Sequence, residues 1–110
     1  MKTSIEQLDS WLQNQEGLNL EFKKAENSFS NTELFNYCSA LSNMGGGKLI
    51  FGIEPKEHKV VGTNLYCGTF NIIPNQIFQK LGVRVDIEEI EHPDGRVLIF
   101  PILIITSGSQ

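Results

Sequence analysis

Apolar positions change period several times along the chain, and each change marks an element. Ile5, Leu8, Trp11 and Leu12 recur at helical spacing, Thr3 and Glu6 precede them at the spacing of a capping box, and Gly17 stops the helix. From Leu18 the period drops to two. Leu18, Leu20 and Phe22 alternate with Asn19, Glu21 and Lys23, as in a half-buried strand. A polar connector, ENSFSN, leads to a second capping-box pair, Ser30 and Glu33, and then to the stripe Leu34, Phe35, Cys38 and Leu41, which Gly45–Gly47 closes. KLIFGI is dense enough in apolar residues for a central strand. EPKEHK is a turn and VVGT its partner strand, so 48–63 reads as a hairpin. Pro74 opens a short third helix with Ile77, Phe78 and Leu81, ended by Gly82. Val83, Val85 and Ile87 start a strand through His92, HPDGR turns, and VLIFPILII returns, with Pro101 directing that strand's end toward a sheet edge.

The order α-β-α-β-β-α-β-β predicts an α/β (α+β) fold: a small mixed β-sheet with two to three packed helices. Residues 1–105 form a single domain, since no linker divides them, and 106–110 (TSGSQ) fray. Because IFPILII runs into a tail with no further element, the chain reads as one piece of a longer protein.

Composition narrows the class. With 40% hydrophobic and 20% charged residues the chain is globular rather than disordered. No apolar run reaches the roughly 18 residues of a membrane span, and the N-terminus lacks a secretory apolar core, so a cytoplasmic location without membrane contact is expected. Cys38 and Cys67 stand far apart and read as reduced thiols, one of them in a helical core. A net charge of −4 weighs against a general nucleic-acid binder. It leaves room for a local basic patch, and Lys23, Lys24, Lys48, Lys56 and Lys59 all fall in one half of the chain. Dispersed solubilising lysines would give the same pattern.

The candidate chemistry is carboxylate chemistry. Glu21 faces away from Leu20 and Phe22, Glu16 lies at the junction of the first helix and strand, and Glu54 ends KLIFGI with Gly52 leaving room beside it. If Glu16, Glu21 and Glu54 converge, oxygen-only donors suit Mg²⁺ or Mn²⁺, which would activate water against a phosphodiester. On pattern alone the same residues read as ordinary surface acids. NMGGGK is not a phosphate loop, because it follows a helix instead of a strand and Leu49 follows its lysine. Capping explains one or two of its glycines, and the third suggests close approach by a ligand or another chain. His58 and His92 sit in predicted turns without zinc spacing and read as exposed.

Taken together, Glu16 with Glu21–Lys23 (E-x-x-x-x-EFK), ALSNMGGGKLIFGIE (40–54) and KVVGT (59–63) resemble the Schlafen/AlbA-like domain, also called divergent AAA-type or putative DNA-binding. KLGVRVDIEEIEHPDGRVLIFPI is similar to the helix, strand and hairpin that complete it. The resemblance implies a nucleic-acid-binding regulatory domain like the N-terminal module of bacterial transcriptional regulators. Lys23, Lys24, Asn43, Gly45, Gly46, Gly47 and Lys48 would then face DNA or RNA. It also implies a downstream helix-turn-helix region missing here. Animal relatives imply the alternative, a divalent-metal-dependent endonuclease with Glu16 and Glu21 in its centre. The family's third acid often falls where this chain has Pro55, with Glu54 one residue earlier. Two other readings stay open: a nucleotide-binding module, and a homodimer through the C-terminal strand.

Overall fold

The computed structural model describes residues 3–13, 19–69 and 71–103. Three helices, α1 (Ile5–Gln13), α2 (Asn31–Asn43) and α3 (Ile73–Leu81), pack on a mixed sheet of β1 (Leu20–Lys23), β2 (Gly47–Phe51), β5 (Glu88–His92) and β6 (Gly95–Ile102). A small second sheet pairs β3 (Ile53–Glu54) with β4 (Lys59–Val60). The main sheet runs β1-β2-β6-β5, with β1 parallel to β2 and the other pairs antiparallel. The expected mixed α+β fold is therefore the one observed. No helix among the described residues is long and apolar enough to cross a membrane.

Strand alternation divides the core in two. Leu49, Phe51, Leu98, Phe100 and Ile102 point to α2 and α3, where Leu34, Cys38, Leu41, Ile73 and Ile77 meet them. Phe22, Ile50, Val97, Ile99 and Ile90 point to the opposite face, where Leu8 and Trp11 of α1 close it. Both faces of β2 and β6 are buried, which is why these two strands read as nearly unbroken apolar runs.

Several local expectations shift. Ser4, not Thr3, caps α1: its Oγ accepts the Gln7 amide at 3.0 Å. The Ser30 cap is as expected, accepting from the Glu33 amide. The hairpin across 48–63 does not form as one unit, because the chain leaves the sheet at Gly52. There φ is +100°, the amide bonds to the Lys23 carbonyl at 2.8 Å, and an added Cβ would stand 2.7 Å from the Arg96 carbonyl oxygen. What remains of the hairpin is the short β3–β4 pair. The strand expected from Val83 begins only at Glu88, because Val83 and Val85 turn into the α2–α3 core. β6 is an inner strand flanked by β2 and β5, so the edge expected near Pro101 is limited to the residues beyond the last β5 pair, Glu88 with Ile99. Gly17 and the tail 106–110 lie outside the described residues.

Neither histidine is simply exposed. His92 Nε2 lies 2.9 Å from Asp9 Oδ1, and its Nδ1 accepts the Asp94 amide. That acceptance leaves the ring proton on Nε2, donated to Asp9. His58 Nδ1 lies 3.2 Å from the Leu12 carbonyl oxygen and its ring packs edge-on to Phe22. Both rings dock α1 onto the sheets.

Cys38 is fully buried and Cys67 exposed, both as free thiols. Burial pushes the Cys38 thiol up to about 12, and burial, then the nearby Cys38, does the same to Tyr66, whose hydroxyl has no hydrogen-bond partner among the described residues. A disulfide-exchange reagent at pH 8 should therefore titrate one thiol in the native protein and two in denaturant. Both groups are acids whose folded pKa is raised, from 9.0 and 10.0 respectively. Their unfolded forms ionise first, so stability is full below about pH 9 and falls as pH rises toward about 12. A urea midpoint clearly lower at pH 10.5 than at pH 8 is the expected result.

Candidate functional site

The α2 C-terminus, the start of β1 and the start of β2 meet at the glycine turn. Met44 caps α2, and Gly45 and Gly46 adopt φ of +98° and +95°. The Gly46 amide reaches back to the Leu41 carbonyl at 2.8 Å. The third glycine has a different reason from the one the sequence suggested. A Cβ on Gly47 would lie 2.5 Å from the Asn19 carbonyl oxygen and 2.9 Å from Leu41, so the close approach is made by this chain's own backbone. Asn19 completes the turn, its side-chain amide donating to the Met44 and Gly46 carbonyls.

β1 is an edge strand, and Glu21 and Lys23 project toward α2 from it. The Lys23 ammonium lies 4.6 Å from the centroid of the Tyr37 ring. Hydrogen bonding to the Tyr37 hydroxyl chiefly raises its pKa. Partial burial opposes that rise, and the nearby Tyr37, Glu21 and Glu33 add to it. Glu33 and Tyr37 stand one turn apart on α2, so a single helical stripe faces the lysine. Lys24, just past β1, is exposed, as is Asn43.

Lys48 does not share that face. It pairs in register with Leu20, and its ammonium lies 5.2 Å from the Trp11 ring centroid on the α1 side. The lysines singled out in the sequence therefore fall on opposite faces of β1 and β2, three residues apart along the strands. Lys48 and Trp11 line an open groove of about 1170 Å³ whose other wall comes from α3 and the segment after it. There Arg84 lies 4.8 Å from the Phe78 ring centroid.

Of the three glutamates, Glu16 lies outside the described residues. Glu54 Oε1 accepts the amides of Lys56 at 2.9 Å and Glu57 at 2.6 Å, so this carboxylate holds its own turn. Among the described residues no group of three or more His, Cys, Asp or Glu is placed to hold a metal ion. Glu21 and Glu54 do not compose such a centre for Mg²⁺ or Mn²⁺ by themselves.

Sequence reasoning missed Arg96. Its Nη1 donates to the carbonyls of Thr63 at 3.0 Å and Leu65 at 2.9 Å, and its Nε pairs with Glu89. Thr63 in turn donates through Oγ1 to the Ala25 carbonyl. The VGT segment is thus tied to β1's exit and to β6. Arg84 and Phe78 were missed as a pair as well; Phe78 read as part of α3's buried stripe, yet it is 42% exposed.

These features define a small α+β domain with helices on both sheet faces and with Glu21 and Lys23 on one face of an edge strand. The chain belongs to the Schlafen, AlbA_2 family, whose sequence model matches residues 16–106. Its fold is similar to that of the DIP2311 protein from Corynebacterium diphtheriae, with a TM-score of 0.68 and 23% identity over 93% of this chain. The chain spans 22% of that protein's length. It is also similar to the N-terminal domain of a RecG-related protein from Nitrosomonas europaea, with a TM-score of 0.58 and 16% identity, covering 100% of this chain and 78% of the other. A search of curated protein sequences finds no match.

Proposed function

We propose that this domain binds nucleic acid as a regulatory module. The observation that carries the proposal is that Lys23 and Lys48, both singled out from the sequence, are each seated against an aromatic ring, Lys23 against Tyr37 on the α2 face and Lys48 against Trp11 on the α1 face. An ammonium so held is oriented for a phosphate and loses less freedom on binding than a loose lysine. Family membership and a neighbour named for its relation to the DNA helicase RecG support the same reading. The acidic balance of the whole chain predicts modest affinity that fades quickly with salt.

The test is a gel-shift titration with single-stranded and duplex oligonucleotides, with and without Mn²⁺. Binding at low salt is expected, and Lys48→Gln should lower the salt slope by about 0.7 for a single strand. No shift under any of these conditions contradicts the proposal. The same gel weighs a second reading, a metal-dependent endonuclease. Glu21 favours it, two residues from Lys23 on an open sheet edge. Mn²⁺-dependent cleavage that Glu21→Gln abolishes while binding persists would support the nuclease; uncut oligonucleotide would remove it.

A further inference from the structure

β5 begins opposite Ile99, whereas β6 continues to Ile102. Past Ile99, β6 has no strand on that side among the described residues, and the groove of about 1170 Å³ between α1 and α3 lies there. Its volume exceeds the roughly 300–1,000 Å³ of a small-molecule pocket and it opens to solvent, which leaves room for an extended ligand. Its lining includes the Lys48–Trp11 and Arg84–Phe78 pairs and the Gln7 and Asn75 carboxamides. A single-stranded nucleic acid offers what this lining takes up: phosphates for the two cations, flat base faces for the exposed Phe78 ring, and base edges for the amides. A duplex keeps its base faces stacked on one another and cannot use the ring.

We propose that this groove is a single-strand nucleic-acid path, with Arg84 and Lys48 on phosphates and Phe78 against a base. The inference rests on the nucleic-acid reading above and adds the surface and the strand state. Two carboxylates also line the groove. Glu88 is committed to the Thr3 amide, while Asp86 is exposed and opposes the ligand's charge. Removing the Asp86 charge should therefore tighten binding, a sign that a purely structural groove would not give.

Trp11 is the chain's one tryptophan and lines the groove, so its fluorescence reports occupancy directly. Titration of the intact chain with an oligothymidylate of about ten nucleotides at low salt should quench it. Duplex of equal length should quench it far less. Phe78→Ala should weaken binding about tenfold and Arg84→Gln about fivefold, each with unchanged circular dichroism, which shows that the fold is retained. Asp86→Asn should tighten binding about twofold or more. If the gel shift persists while Trp11 emission is silent and Phe78→Ala binds like wild type, the groove is not the path, although the nucleic-acid reading stands. If no oligonucleotide binds by either readout, both fail. Equal quenching by oligoglutamate would overturn the assignment in favour of an acidic peptide.

Discussion

Phe51→Ala should lower the stability of this domain by about 3–5 kcal/mol, the cost of a large cavity in a rigid core. Phe51 is fully buried at the C-terminal end of β2, where the rings of Phe29 and Phe100 approach to 4.9 and 5.3 Å, both edge-on. Truncation removes the ring's transfer free energy and leaves those two rings, and Tyr66 at 6.5 Å, facing a void. Domains of this size are stable by roughly 5–15 kcal/mol in total, so the variant should lie near the folding threshold. A urea titration checks this: the midpoint should fall sharply with an unchanged slope. Phe51→Leu, which retains most of the volume, should lose about half as much or less.

Arg96→Ala is the second large effect, about 3 kcal/mol, for a different reason. The guanidinium is mostly buried and bonds two carbonyls as well as Glu89. Its pairing with Glu89 contributes little, because that carboxylate is 36% exposed and screened by water. The larger part is the loss of two charge-assisted bonds that hold the 63–65 backbone, which leaves the Thr63 and Leu65 carbonyls without this donor. For a domain this small the expected fall in Tm is about 12–20 °C. Arg96→Lys should recover less than half of it, since an ammonium cannot span two carbonyls and a carboxylate in the guanidinium's planar geometry. Full recovery by lysine would show that charge alone matters at this position.

What the sequence disclosed and what it hid follow from the range of the interactions. The core of β2, β6, the Ser30 cap and the placement of α3 between Pro74 in its first turn and the Gly82 cap depend on local patterning, and each forms where the residues indicated. The exit at Gly52 was hidden because LIFGI is apolar throughout, and the break is imposed from afar by the Lys23 and Arg96 carbonyls. Gly47 looked available to a ligand because its neighbour, Asn19, is distant in sequence. His92 read as a turn residue, since Asp9, its partner, is 83 positions away. The acid–lysine pair on β1 was legible from strand alternation alone, whereas the rings that orient the cations belong to other elements. Only the Phe78–Arg84 pair carried a local signal: an aromatic late in an amphipathic helix, followed by a glycine stop and an arginine two residues on.

Occupancy of the groove between α1 and α3 by a nucleic-acid strand is the decisive question. The most direct measurement is a ¹H–¹⁵N correlation spectrum of the labelled chain during titration with a short oligothymidylate at low salt. The predicted result is that the Trp11 indole and the amides of Lys48, Phe78, Arg84 and Asp86 move together with one saturation curve. Spectra in which these signals stay fixed while other regions shift, such as the β3–β4 turn, would contradict it.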